Sequence, residues 1–320
     1  MKILITESGS YSQKALEIYH ELGEVTLIDG NFEEILAHLP EIEVLVVKLK
    51  FTWTESILTQ AKSLKYIVTS TTGLNHIKLP LHSNIDIISL KGEIDFLRTI
   101  TPTAELAWGL IISLVRNLQP AVKSVKSHVW DRNQHVGQEL YGKVIGIIGY
   151  GRLGSIVTKY AIAFGMIVKV FDTDENSLSN LPADVEYLEL DDLMKISDII
   201  TVHIPLVDSN INFIDKVKLS LLKHTAILIN TSRGEIIDEL YLLEMLETDL
   251  IAGVALDVLS DEVSGHDSWV QDNPLVNSNL LGNKLLITPH IGGACYDSME
   301  RTEDFVAKKL INEVTVNLSA

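Results

Sequence analysis

Val144-Ile145-Gly146-Ile147-Ile148-Gly149-Tyr150-Gly151-Arg152-Leu153-Gly154 is the stretch whose reading decides the fold. A short apolar run, suited to a strand buried on both faces, leads straight into glycines spaced G-x-G-x-x-G, and a helical pattern follows. Each glycine has a task. Gly149 makes the tight turn, Gly151 lets the backbone approach a pyrophosphate, and Gly154 allows the helix to pack closely on the strand. The start of that helix offers free N–H groups and a positive dipole end to phosphates. The glycine pattern alone is weak, but the next apolar run, Ile167–Phe171, ends at Asp172, eighteen residues past Gly154. An acidic residue that grips the adenosine ribose hydroxyls is expected there. A carboxylate repels a 2′-phosphate, and Asp174 and Glu175 reinforce it, so NAD rather than NADP is the expected cofactor.

Outward from this motif, the chain alternates strands and helices on both sides. Downstream, Ile199–His203, Ala226–Ile229, Ile251–Leu256 and Leu285–Ile287 read as further strands, mostly separated by helices. Upstream, Lys2–Thr6, Val25–Ile28, Val44–Val47, Tyr66–Thr69 and Ile85–Ile88 read as buried parallel strands, with helices such as Ser12–Leu22 and Glu33–Leu39 between them. Thr101-Pro102-Thr103 interrupts that first series, and a long helix is expected from Ala104 to Leu118, ended by Gln119-Pro120. From Cys295 to Leu318 the pattern is helical again, a natural return to the first domain. The expectation is an α/β chain of two domains. The first is discontinuous, residues 1–101 and 291–320, and the second is continuous over 102–290. The cleft between two such domains is where a small-molecule site is expected.

Bulk properties narrow the function classes. With 46% hydrophobic and 22% charged residues, the composition is that of a globular protein without biased segments. A formal charge of −17 argues against nucleic acid and anionic membrane surfaces as partners. One cysteine permits no internal disulfide, which fits a reducing cytoplasm. MKILIT at the start reads as a strand rather than a signal peptide, and Ala104–Val115, the most apolar stretch, is too short to span a bilayer. No metal site is expected.

The chain resembles the D-specific 2-hydroxyacid dehydrogenase family, which includes D-lactate, glycerate and 3-phosphoglycerate dehydrogenases. Besides the fingerprint, the segments that carry the resemblance are Glu139-Leu140-Tyr141-Gly142-Lys143, His203-Ile204-Pro205-Leu206, Ile229-Asn230-Thr231-Ser232-Arg233-Gly234, Ala255-Leu256-Asp257-Val258 and Thr288-Pro289-His290-Ile291-Gly292-Gly293. The resemblance implies two doubly wound parallel-sheet domains, a Rossmann NAD-binding domain and a flavodoxin-like substrate domain. It also implies hydride transfer between NAD(H) and C2 of a small 2-hydroxy acid or 2-keto acid, in a homodimer.

By the same resemblance, Arg233, Glu262 and His290 form the catalytic set. The chemistry suits the residue types: histidine as acid and base at the hydroxyl, a carboxylate to orient it, and a planar guanidinium for the substrate carboxylate. Arg152 and Leu153 are implied at the pyrophosphate, Pro205 near the adenine and Thr231 with Ser232 by the nicotinamide ribose. Asp257 is implied on the carboxamide, with Gly292 and Gly293 beside the cofactor. Thr72-Gly73-Leu74 resembles the loop whose backbone N–H groups hold the substrate carboxylate, and Lys48 is a candidate for a second acidic group on the substrate. His203 reads as a structural or cofactor-wall residue and Cys295 as a small buried hydrophobe.

Three departures qualify this. The proline expected after Glu262 is replaced by Val263, leaving neighbouring Asp261 as an alternative partner for His290. The segment 262–283 is longer than the family's usual turn, which would let it cap the cleft or join the dimer contact. One further helix is expected before residue 320, and on this reading the regulatory domain of longer phosphoglycerate dehydrogenases is not expected. The competing readings are an NAD-sensing corepressor-like scaffold and a formate- or phosphite-type dehydrogenase.

Overall fold

The structure is a computed structural model that describes residues 1–9, 11–179, 181–260, 262 and 269–319, the side chains of 317–319 excepted. The chain divides into two compact units, Met1–Ile100 with Ala294–Ala320, and Thr101–Gly293.

The first unit is built on β1 (Lys2–Ile5), β2 (Glu24–Leu27), β3 (Val44–Val47), β4 (Tyr66–Thr69) and β5 (Asp86–Ile88), all parallel, in the order β2-β1-β3-β4-β5. Alternate residues of each strand serve opposite faces of the sheet. Ile3, Ile5, Val44, Val46 and Val68 pack on one face, with Val306, Ala307 and Leu310 of the C-terminal helix Tyr296–Ser319. Leu4, Leu45, Val47 and Ile67 pack on the other face with Trp53 and Ile35. Burial on both faces explains why these strands read as unbroken apolar runs. Their flanking helices start at side-chain caps: Ser12 Oγ accepts from the Ala15 N–H at 3.3 Å, and Asn31 Oδ1 accepts from the Glu34 N–H at 3.3 Å.

The second unit contains β6 (Val144–Ile148), β7 (Ile167–Phe171), β8 (Val185–Tyr187), β9 (Ile199–Val202), β10 (Ile227–Asn230), β11 (Gly253–Leu256) and β12 (Leu285–Ile287). They form one parallel sheet in the order β12-β11-β10-β9-β6-β7-β8. The order reverses at β6, so β6 and β9 splay their following loops to opposite sides and open a crevice at their carboxyl ends. The fingerprint turn and the loops that carry Pro205, Arg233, Asp257 and His290 leave strands of this sheet at this edge.

Two elements differ from the sequence expectation. The expected single helix from Ala104 to Leu118 is two helices, Pro102–Val115 and Leu118–Lys126, broken at Asn117 with φ of +50°. Pro120, expected to end the first, instead lies in the opening turn of the second, where a missing N–H costs no hydrogen bond. The short edge strand β8 gave no periodic signal, because three residues carry one alternation at most. The segment after 268 packs on its own unit: Leu275 is buried in the core, and Asn273 Oδ1 accepts from the Leu275 N–H at 2.9 Å.

Candidate active site

The fingerprint turn forms because β6 runs into Gly149, whose φ of +95° favours glycine. A side chain at Gly149 would come within 2.8 Å of the His203 backbone, and one at Gly154 would run into the Gly149 carbonyl. Gly151 faces open space instead, with nothing within 4 Å of where a Cβ would stand. The helix Arg152–Ala163 begins directly after it, and no side chain caps its N-terminus. Asp172 ends β7 with both oxygens engaged: Oδ2 accepts from the Tyr150 N–H at 2.7 Å and Oδ1 from the Asp174 N–H at 2.9 Å. Burial pulls the Arg152 guanidinium below its ordinary range. Thr231 Oγ1 is buried without a hydrogen-bond partner among the described residues. An uncapped helix start, a side-chain-free approach at Gly151 and an orphaned hydroxyl at the same sheet edge fit a dinucleotide.

His203 lies against this turn. Its Nε2 is 2.9 Å from Thr201 Oγ1, its Nδ1 has no partner among the described residues, and burial pushes its pKa down to about 4. It is therefore a neutral wall residue. Ser232 Oγ is tied to the Ile204 carbonyl, and the Pro205 carbonyl accepts from Asn210 Nδ2 at 2.9 Å.

The acid–base candidates follow β10, β11 and β12, neighbouring parallel strands that deliver Arg233, Asp257 and His290 to one edge. His290 Nδ1 lies 2.8 Å from Glu262 Oε1. A carboxylate only accepts, so it selects the Nδ1–H form and leaves Nε2 as the ring nitrogen not engaged by that contact. Asp261 lies outside the described residues. His290 has φ of +51°, and its backbone N–H donates to the Asp257 and Thr288 carbonyls, each at 2.9 Å. Asp257, only 1% exposed, accepts from Thr288 Oγ1 at 2.6 Å, the Ile291 N–H at 2.9 Å and the Gly292 N–H at 2.8 Å. Burial raises its pKa, opposed by those hydrogen bonds. A side chain at Gly292 would press to 2.9 Å from the Asp257 carboxylate, so glycine permits the contact.

Arg233 Nη1 donates to the Ser232 carbonyl at 2.6 Å, and no carboxylate among the described residues pairs with the guanidinium. Asn230 holds the turn, with Nδ2 donating to the Arg233 carbonyl at 2.8 Å and Oδ1 accepting from the Ser232 N–H at 2.9 Å. Sequence reasoning missed Glu239, which accepts from the Ser260 N–H at 3.0 Å and Ser260 Oγ at 2.7 Å and so anchors the start of the segment that carries Glu262. No local pattern advertises this link, which joins residues 21 apart.

In the first unit, the Thr72-Gly73-Leu74 loop follows β4, with Thr71 Oγ1 donating to the Gly73 carbonyl at 2.9 Å. Lys48 follows β3, and its ammonium lies 2.7 Å from Glu303 Oε1, committed within the chain rather than held out for a ligand. Cys295, expected to be buried, is exposed because it precedes the C-terminal helix instead of packing within it. No group of three His, Cys, Asp or Glu among the described residues is placed to hold a metal. No helix among them is long and apolar enough to cross a membrane.

Comparison with known proteins agrees with this geometry. Residues 108–292 match the D-isomer specific 2-hydroxyacid dehydrogenase NAD binding domain, and residues 3–90 match the catalytic domain of the same family. The chain belongs to the D-isomer specific 2-hydroxyacid dehydrogenases, a family of NAD-dependent oxidoreductases. It is similar to D-3-phosphoglycerate dehydrogenase of Methanocaldococcus jannaschii, 33% identical over 313 residues, covering 97% of this chain and 57% of that protein. Hydroxypyruvate reductase of Thermotoga maritima is 32% identical over 295 residues, 92% of each. The chain thus spans little more than half the length of the phosphoglycerate dehydrogenase and nearly all of the reductase. The crystal structure of D-lactate dehydrogenase from Aquifex aeolicus complexed with NAD and lactic acid has a TM-score of 0.80 at 26% identity, covering 99% of this chain and 96% of that one.

Two predictions follow from the nucleotide half. Asp172 should favour NAD over NADP by between several-fold and about a thousand-fold, the range spanned by a charge pair in water and at an effective dielectric of 20. Asp172→Ser should narrow the ratio of kcat/KM for the two, and equal values in the unmodified protein would remove Asp172 from that role. The second concerns stability. His203 stays neutral in the folded chain down to about pH 4, whereas the unfolded chain protonates it from its ordinary value of 6.5. The unfolded state then binds more protons, so this contribution is complete above about pH 6.5 and is lost as the pH falls toward 4, on the order of 3 kcal/mol in all. Urea unfolding at about pH 7 and pH 4.5 should show a smaller acid loss for His203→Gln than for the unmodified chain, and equal losses would count against it.

Proposed function

We propose that this chain interconverts small D-2-hydroxy acids and 2-keto acids with NAD as hydride carrier. The observation that carries the reading is the His290–Glu262 pair at 2.8 Å, on the sheet edge that also bears the dinucleotide turn. NAD, when bound, takes the hydride from C2 of the hydroxy acid or returns it to the keto acid. His290 Nε2 takes the hydroxyl proton during oxidation and gives a proton to the carbonyl oxygen during reduction. Glu262 accepts from Nδ1 throughout, holding the ring's orientation and balancing the charge that appears on it. Arg233 uses one of its five N–H donors on Ser232, and the remainder of its fork suits a substrate carboxylate and the reacting carbonyl. Backbone N–H groups of the Thr72–Leu74 loop suit the carboxylate as well, and Lys48 is not needed for a substrate with one acidic group.

The assembly we propose is a homodimer. Helix Leu118–Lys126 buries none of its residues, and Leu118, Val122 and Val125 recur on one face at helical spacing. Trp130, just beyond, is 91% exposed. A second copy of the same face is a self-complementary cover for it. The lone cysteine, Cys295, supports a reducing cytoplasm as the setting.

A panel of 2-keto acids, assayed by NADH oxidation, tests the reaction. His290→Gln should lower turnover by roughly 10²–10⁴-fold in both directions. Arg233→Lys should raise KM and lower kcat while leaving NADH affinity nearly unchanged, since it keeps the charge and loses the fork. No turnover across the panel, or a His290→Gln protein with full activity, would sink the reading. Light scattering should give twice the chain mass, and Val122→Glu with Trp130→Glu should halve it; a monomeric unmodified protein rules the dimer out.

A further inference from the structure

The first sheet has the order β2-β1-β3-β4-β5, and a sheet of this order offers its ligand crevice beyond the carboxyl ends of β1 and β3, where the chain reverses its winding. In this protein that place is filled by the chain's own charges. Glu7, just past β1, accepts the Lys48 N–H at 2.9 Å, and the Lys50 N–H also bonds its carboxylate. Those are the backbone donors that an incoming anion would use at the end of β3. The Lys48 side chain is 17% exposed, and its ammonium lies 2.7 Å from Glu303 Oε1 and 5.0 Å from the centre of the Tyr11 ring. The contact pairs the two charges directly. Glu303 is 1% exposed, and its other oxygen accepts from the Ser12 N–H at 2.7 Å.

Lys50 is exposed and lies beside Gly30, and its charge is felt by Glu7. Asp29 adds a carboxylate against Gly9, and Asp304 takes up Lys14 at 3.7 Å and Ser12 Oγ at 2.5 Å. The end of β3 therefore carries two lysines against two carboxylates, with further acids around them and no surplus positive charge. The Gly73 loop follows the adjacent strand, since Val47 pairs with Thr69, so a substrate held by that loop meets this neutralised edge next.

We propose that Glu303 and Glu7 set the charge selectivity of the site: they restrict the substrate to 2-keto and 2-hydroxy acids whose only anionic group is the reacting carboxylate. This rests on the reaction proposed above. Glu303 acts through Lys48 and is a specificity-determining residue, not a catalytic one.

Hydroxypyruvate and its 3-phosphate form a matched pair that differs only in the second anion. The unmodified protein should turn over hydroxypyruvate with a kcat/KM at least about tenfold above that for the phosphate ester. Glu303→Gln keeps an acceptor for Ser12 and frees the Lys48 charge, so it should narrow that ratio by about tenfold, chiefly through the KM of the ester, with NADH KM unchanged. Glu7→Gln, less buried, should move the ratio the same way if the first variant fails to fold. A phosphate ester preferred by the unmodified protein, or a ratio unmoved in a folded variant, overturns the selectivity while leaving the reaction standing. Absence of turnover with both, and with the wider panel, overturns the reaction and the selectivity with it.

Discussion

The carboxylate of Asp257 gathers Thr288 Oγ1 and the backbone N–H groups of Ile291 and Gly292, and the geometry of the acid–base pair depends on that grip. His290 sits inside the gripped segment with a left-handed backbone, a conformation that costs a residue with a Cβ on the order of 1–3 kcal/mol and persists only where its surroundings over-determine it. Three donors to one buried carboxylate, with two further bonds from the His290 N–H, supply that over-determination. The imidazole then leaves the loop in a direction set by backbone, and the bond to Glu262 selects the tautomer and steadies the ring. By resemblance Asp257 is a cofactor contact; its hydrogen bonds also make it the residue that shapes the loop.

Much of this was legible beforehand, and the reason is local. The glycine turn, Asp172 at the end of the next strand, and the apolar runs that became the sheets are each written in a few consecutive residues, and strands buried on both faces leave little choice of partner layer. What stayed hidden depends on distant contacts. Lys48 and Glu303 are 255 positions apart, so no spacing rule links the lysine to its carboxylate. Glu239 anchors Ser260 from the start of a helix that reads as ordinary surface. The break at Asn117 is hidden in the sequence because Pro120 is the stronger punctuation mark, and a proline serves at a helix beginning, as here, as readily as just beyond a helix end.

A single device recurs in both units. In a parallel sheet, the N–H groups just past each strand point beyond the carboxyl edge without a ladder partner. Glu7 after β1 takes the Lys48 N–H after β3, Asp172 after β7 takes the Tyr150 N–H after β6, and Asp257 after β11 takes the N–H groups after β12. Each carboxylate satisfies the loop of a neighbouring strand, so the same contact that holds a loop also puts a negative charge at the ligand edge.

The three carboxylates differ in how much of that charge remains available, and this separates their consequences. Asp172 is half-buried, and a carboxylate has about four lone-pair sites, so two backbone bonds leave room for ribose hydroxyls. Asp257 is almost wholly buried, and three of its acceptor sites are taken by the loop it holds. Glu7 lies between them, and with Glu303 it cancels the lysines that an anion would otherwise seek. A guanidinium fork or a set of backbone N–H groups binds a carboxylate in a defined plane, whereas a lysine attracts any anion, so cancelling the lysines removes the less selective kind of attraction. In a chain of net charge −17, where a second anion on a ligand is already repelled at long range, the local arrangement at β3 turns a weak, salt-screened bias into a property of the site itself.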